Sequence, residues 1–364
     1  MERPMQKMDG MNYAPVFQGE AVRVVSPGMF CFSVVGLDHG HVFAMVNGLL
    51  EAGATIRYVH DSDQGKVQDF LRRYPEAKPV DSEEPVLSDA LTSLVVSAIR
   101  PDLRAGLGLR VLASGKDYFV DKPGMLTFDE LEAVKTACEV TGRKYVVYYG
   151  ERIHVEGAVF VERLIRAGRL GRVVDVTIIA PHRLNKESRP WWFFDPLRNG
   201  GILTDIGSHQ IEQFLSYVGA TTARVLHSTV ANFANPDYPR FCDFGDVSLL
   251  ADNGAVGYIR VDWFTPDGLS AWGDGRVFIV GTKATVEIRK YVDIANDRQG
   301  DQVYLVDGTG EHRYSVSGKV GFPFFGALVL DCINRTETAI SQRHVFEAMR
   351  LTLQAQKDAL RIGS

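Results

Sequence analysis

The stretch FCFSVVGLDHGHVFAMVNGLLEAGATIRYVHD, residues 30–61, decides the fold. Its first seven residues are a short apolar run that ends at Gly36. A run of that length, bounded by glycine, reads as a strand buried on both faces. Residues 41–53 carry apolar side chains at helical spacing and stop at Gly53, so they read as a helix with a glycine end. Residues 54–61 return to strand texture and close on an acid, Asp61. A strand, a tight glycine turn, a helix and a second strand within about thirty residues form a right-handed crossover, the unit of a parallel sheet.

The same texture continues outward. Residues 65–75 read as a helix stopped by proline, 93–99 as a strand, 103–115 as a helix, 117–123 as a strand, 128–142 as a helix and 144–150 as a last strand. This alternation predicts an α/β, doubly wound parallel sheet over residues 29–150. After Gly150 the pattern changes. A helix at 155–167 leads through Gly168-Arg169-Leu170-Gly171 to a strand at 173–181, and a second helix covers 203–218. Short strands with turn signals follow, and a helix at 343–360 ends the chain. In AVGYIRVDW, residues 255–263, side chains alternate with a period of two, as in a sheet with one covered and one more polar face. Residues 151–364 are therefore expected to form an α+β domain with a large, mostly antiparallel sheet. Residues 1–28 read as an amino-terminal arm.

Composition narrows the class. Among 364 residues, 45% are hydrophobic and 23% charged, values of a globular chain. Forty basic residues against 45 acidic ones, with no basic block, argue against a nucleic-acid surface. No apolar run approaches a membrane span, and the arm lacks a secretory signal's apolar core. Cys31, Cys138, Cys242 and Cys332 are widely separated and form no Cys-x-x-Cys pair. Reduced thiols in a soluble cytoplasmic protein are the expectation.

Four features carry chemistry. Gly36-Leu37-Asp38-His39-Gly40-His41 joins the first strand to the first helix, where a dinucleotide-binding turn brings backbone close to a pyrophosphate. Asp38 and His41 occupy two of its three usual glycine positions. Asp61 ends the next strand, where a carboxylate accepts ribose hydroxyls and repels a 2′-phosphate, so NAD(H) is favoured over NADP(H). Asp121-Lys122-Pro123 closes another strand, and the carboxyl ends of parallel strands face the ligand crevice. Finally, Gly200-Gly201-Ile202-Leu203-Thr204-Asp205-Ile206-Gly207-Ser208-His209 places Asp205 and His209 four residues apart on one helix face. A histidine there is suited to take a hydroxyl proton, with the acid to orient it.

In this order, the four features resemble the glucose–fructose oxidoreductase/inositol dehydrogenase/rhizopine-catabolism (Gfo/Idh/MocA) family. The likeness runs from about Phe30 to the end and rests also on SLVVSAIRPDLRAGLGLRVLASGKDYFVDKP and RLIRAGRLGRVVDV. It implies an NAD-binding Rossmann domain, a carboxy-terminal sheet domain used for oligomerisation, and a catalytic trio of Lys122, Asp205 and His209. It implies an oxidoreductase that moves a hydride to or from a carbinol carbon of a sugar, inositol or sugar derivative, acting as a homodimer or homotetramer. Two departures stand out: Asp121 replaces the family's Glu, and Ile99-Arg100-Pro101-Asp102-Leu103-Arg104 replaces Thr-Pro-Asn-x-x-His, with Arg104 in the His place. Arg100 is assigned to the cofactor and Arg104 to the substrate. His182, Arg183, Trp191 and Trp192 are further substrate candidates, the tryptophans either as a wall for a sugar ring or as packing. Nothing resembles a His-Glu-x-x-His helix or a cysteine pair, so no metal site is expected. Two other readings share the fold: a glycoside-cleaving enzyme that oxidises its sugar only transiently, and a ligand-sensing regulator without turnover.

Overall fold

The computed structural model describes residues 15–296 and 298–363, so the first fourteen residues of the arm lie outside the described residues. Two compact units are present, one built from the chain up to Tyr148 together with Pro323–Phe346, the other from Tyr149–Phe322 and Glu347 onward.

In the first unit, β1 (Cys31–Val35), α1 (His41–Glu51), β2 (Thr55–His60), α2 (Gln64–Arg73), β3 (Lys78–Pro79), α3 (Glu84–Ser88), β4 (Thr92–Ser97), α4 (Pro101–Ala113), β5 (Asp117–Asp121), α5 (Phe128–Thr141) and β6 (Tyr145–Tyr148) follow in order. The strands pair in parallel as β3-β2-β1-β4-β5-β6, the doubly wound sheet the sequence implies. Every residue of β1, β5 and β6 is buried, which explains their unbroken apolar runs. Helix ends are written locally. Asp63 caps α2 by accepting from Gly65 and Lys66, and Thr127 with Glu130 forms a capping box on α5, a device worth about 0.5–2 kcal/mol.

Residues 15–28 run along this unit. Asn47 donates to the Pro15 carbonyl at 3.2 Å, Phe17 N to Glu51 at 3.1 Å and Val24 N to the Ala52 carbonyl at 2.9 Å. A helix that the sequence reading passes over, α11 (Pro323–Asn334), also belongs here. Its Phe325 lies against α1 where a Cβ on Gly48 would come within 2.5 Å of the ring, so that glycine permits the approach. Reading residues 151–364 as one continuous domain therefore differs from the structure, in which Pro323–Phe346 packs with the first unit.

The second unit opens with α6 (Gly150–Ile153), α7 (Glu156–Arg166) and β7 (Val173–Pro181). Short helices α8 (Pro196–Asn199) and α9 (Ile202–Asp205) lead into α10 (Gly207–Val218). Then come β8 (Ala223–Ala231), β9 (Phe244–Ala251), β10 (Val256–Asp262), β11 (Arg276–Gly281), β12 (Ala284–Arg289), β13 (Gln302–Asp307) and β14 (Gly310–Ser315). After α12 (Gln342–Lys357), β15 (Leu360–Ile362) completes a nine-stranded sheet ordered β14-β13-β12-β11-β7-β10-β9-β8-β15. Only β10 with β7 and β15 with β8 run parallel. One face carries α10, whose Phe214 ring sits where a Cβ of Gly257 would be. On β10 the alternation holds: Gly257, Ile259 and Val261 are buried, whereas Val256 and Tyr258 are exposed. No helix among the described residues is long and apolar enough to cross a membrane.

Candidate active site

The candidate residues fall into two groups, one in each unit. In the first unit they gather at the carboxyl ends of β1, β4 and β5. Gly36 has φ +88°, and a Cβ there would lie 2.5 Å from the Ile99 Cβ, so only glycine fits this turn. The turn that follows is held from several sides. Asp61, 5% exposed, accepts from Leu37 N at 2.6 Å and from Asp63 N at 2.8 Å. Asp38 pairs with the Lys66 ammonium at 2.5 Å and accepts from Arg100 N at 2.8 Å. Gly40 offers α1 no capping side chain, the His41 N–H meets His39 Nδ1 at 3.2 Å, and no acid stands in the first turn of the helix. An anion at that end therefore meets the helix dipole without a competing carboxylate in the turn of helix it faces.

Asp121 is the hub of this end. Its fully buried carboxylate accepts from Lys122 N at 2.8 Å and lies 2.8 Å from His41 Nδ1, 3.2 Å from His39 Nδ1 and 3.0 Å from the Arg104 guanidinium. Burial alone would push the Asp121 carboxyl up; His41 and Arg104 outweigh it and hold it well below the ordinary range. Burial and the neighbouring charges of His41, Lys122 and Arg104 keep the His39 ring neutral, its pKa well below the usual value despite Asp121. The Lys122–Pro123 bond is cis, and Lys122 itself is 7% exposed.

Arg104 has a different task from the substrate contact expected of it. Its side chain is buried, and it donates to the carbonyls of Ile99 (2.7 Å), Lys122 and Pro123 (3.1 Å) as well as to Asp121. It clamps the strand that presents Lys122 and has no face left for a ligand. The Arg100 side chain pairs with Asp102, and its backbone amide joins the turn by donating to Asp38. Although no metal was expected, the ligand atoms of His39, His41 and Asp121 lie within 4.8 Å of one another. Arg104 already supplies the cation beside that carboxylate.

In the second unit, Asp205 ends α9 and His209 lies in the first turn of α10. The single helix read from the sequence is broken at Ile206, yet Ile206 N still bonds to the Ile202 carbonyl and His209 N to the Ile206 carbonyl, so the one-turn spacing survives. His209 is 2% exposed and Asp205 half-buried. The Tyr149 ring lies edge-on to His209 at 6.4 Å.

Around His209 is a polar network that sequence reasoning missed. Glu151, 5% exposed, accepts from Gln210 Nε2 at 2.9 Å and from Lys290 Nζ at 3.2 Å, and lies 3.4 Å from His182 Nε2. Lys290, with its side chain fully buried, also donates to Gln213 Oε1 at 2.7 Å. Burial would raise the Glu151 carboxyl; Lys290, His182 and His209 hold it well below the ordinary range. Burial lowers the Lys290 ammonium despite Glu151. The only sequence signal was a run of polar residues, His209, Gln210, Glu212 and Gln213, on a helix that turns out to be buried all round.

His182 also contacts Trp272 at 4.3 Å. Arg183 is 7% exposed, and its Nη2 donates to the carbonyls of Leu269 (2.6 Å), Pro266 (3.0 Å) and Ala271 (3.1 Å). The aromatic run divides. Phe193 and Phe194 are buried against Phe241, Trp263 and Tyr238, Trp192 is half-buried and Trp191 is 67% exposed.

Comparison with known proteins agrees with both halves. Residues 31–149 match the oxidoreductase family with an NAD-binding Rossmann fold, and residues 159–287 match the GFO/IDH/MocA C-terminal domain. A crystal structure assigned to an oxidoreductase from Erwinia carotovora atroseptica SCRI1043 is 46% identical, with a TM-score of 0.89 over 92% of this chain and 100% of that one. Another, from Thermotoga maritima, has a TM-score of 0.78 over 91% of this chain and 98% of that one; at 19% identity it speaks for the fold alone. The scyllo-inositol 2-dehydrogenase (NADP(+)) of Bacillus subtilis (strain 168) is 25% identical over 195 residues, 52% of this chain and 54% of the relative. Across the curated relatives the matched stretch spans 39% to 54% of their length.

Proposed function

Because the chain belongs to the Gfo/Idh/MocA family of oxidoreductases, we propose that it is an NAD(H)-dependent dehydrogenase or reductase acting on a carbinol carbon of a sugar, inositol or sugar derivative. The observation that carries this reading is Lys122, held at the end of β5 by Asp121 and Arg104 beside the turn that begins at Gly36. The turn fits a dinucleotide: Gly36 has no room for a side chain, the first turn of α1 holds no acid, and Asp38 is neutralised by Lys66. Gly36, Asp38, His39, Gly40, His41 and the Arg100 amide would line it, with Asp61 on the ribose. A bound dinucleotide supplies the hydride acceptor or donor.

The chain's own groups handle the proton and the charge. His209 takes the substrate hydroxyl proton during oxidation and returns it during reduction. Lys122 donates to the same oxygen and stabilises the negative charge that grows there. Asp205 orients this pair, and His182, Trp191 and Trp192 are the substrate contacts. A panel of sugars, inositols and sugar acids, followed by NADH absorbance, tests the reading; no turnover with any of them would sink it.

Asp61 sets the cofactor preference in this account. Each oxygen of a carboxylate offers two acceptor sites, so Asp61 can hold its backbone partners and still accept a ribose hydroxyl. A 2′-phosphate would meet Asp61 and Asp63, and the nearby cation, Lys66, is committed to Asp38. Calorimetric titration is expected to give tighter binding for NAD(H) than for NADP(H). The reverse order would remove Asp61 from the ribose.

The open face of the large sheet supports assembly with a second copy. Val256, Tyr258, Phe278, Val280 and Val306 are exposed on β10, β11 and β13. An apolar row of this kind suits a subunit interface, and a homodimer or homotetramer is the expected species. Light scattering at micromolar concentration checks this, and a monomer would contradict it. The buried free thiols of Cys31, Cys138, Cys242 and Cys332 suit a cytoplasmic protein.

A further inference from the structure

We propose that Glu151, backed by Lys290, is a positioning residue that sets the charge environment of His209. The inference rests on the reading of His209 as the proton acceptor. Four separate segments build the arrangement. Glu151 comes from α6, His182 from the end of β7, Gln210 and Gln213 from α10, and Lys290 from the residue after β12. Gln210 follows His209 directly and binds the Glu151 carboxylate at 2.9 Å. Gln213, one turn later, donates to the His209 carbonyl at 3.1 Å and accepts from Lys290 at 2.7 Å. The Glu151–Lys290 pair thus grips the helix turn that presents His209 from two sides.

This pair is more than packing. Ion pairs buried this deeply are costly to assemble, and a same-shaped apolar pair would hold a helix as well. A charged pair adds a fixed field. Glu151 lies within electrostatic reach of His209, and its carboxylate is held ionised. When His209 takes a proton, the imidazolium gains a buried anion within its electrostatic reach. Lys290 keeps that anion charged despite its burial. The other charged groups packed here are accounted for: His182 faces Glu151 at 3.4 Å, and Glu212 is taken by Arg152 at 2.8 Å. The Tyr149 ring lies edge-on beside His209.

The test is direct titration of the His209 ring by NMR on the full-length protein with labelled histidine, the resonance being identified by its loss in His209→Gln. An opposite charge at close range favours the protonated ring by about one pH unit or more. Glu151→Gln is expected to lower the His209 midpoint by about that much. The double variant Glu151→Gln/Lys290→Met leaves no unpaired buried charge, so it keeps the question open should the single variant fail to fold. Its midpoint is expected to fall too, by less, because a cation leaves with the anion. A merely structural Glu151 would lower the melting temperature and leave the midpoint within a few tenths of a unit. That result in any folded variant overturns the proposal. If instead the midpoint falls while His209→Ala keeps a normal rate of hydride transfer, the electrostatic assignment stands and the proton-acceptor reading fails.

Discussion

His209→Ala is expected to lower the single-turnover rate of hydride transfer by roughly 10²–10⁴ while leaving the NAD dissociation constant nearly unchanged. On the proposed assignment the imidazole acts on the substrate proton and makes no demand on the cofactor, so the loss falls on chemistry. If His209 is the base, oxidation by the parent protein is also expected to slow toward acid pH, because a protonated ring cannot accept the hydroxyl proton. An unchanged rate in His209→Ala would refute it as the base.

Lys122→Met is expected to be of similar severity. Methionine keeps much of the bulk and removes the cation that faces the growing negative charge, a loss of about 10²–10³ for one such donor. The strand itself should survive, because its anchors are the Asp121 carboxylate on Lys122 N and Arg104 on the Lys122 and Pro123 carbonyls. A folded variant with intact NAD affinity and a low rate is the expected outcome. Combined with His209→Ala, the losses should be less than additive, since both groups act on one oxygen in one transition state. Full additivity would mean that they serve different steps.

How much of this the sequence discloses follows from the range of each signal. The doubly wound sheet was legible because β1, β4, β5 and β6 carry apolar runs and β2 a short stretch with Ile56, Tyr58 and Val59, with turn residues between them, a local pattern. β3, two residues long, offers no period to detect. Helix α11 is apolar on several sides because it packs along α1, and such a helix gives little amphipathic contrast. The break at Ile206 was invisible since Asp205 and His209 keep helical spacing across it.

Side-chain roles were less legible than backbone ones. Arg104 and Arg183 look like ligand-binding arginines in sequence. Each donates to backbone carbonyls, up to nineteen residues away for Arg104 and eighty-eight for Arg183, which spacing cannot reveal. The gathering of His39, His41 and Arg104 on Asp121, and of His182, Gln210 and Lys290 on Glu151, joins segments set apart by the fold. In each case a buried carboxylate collects the cations and N–H groups that make its burial tolerable.

The central claim is that hydride passes between a carbinol carbon and the dinucleotide. Its most direct test is label transfer: NAD⁺ is incubated with polyols deuterated at each carbinol carbon, and the dinucleotide is then examined by mass spectrometry. Deuterium from one carbinol position is expected to appear in the reduced dinucleotide, in proportion to ketone formed. Deuterium that stays in the substrate, or is lost to water with no label in the dinucleotide, would contradict it.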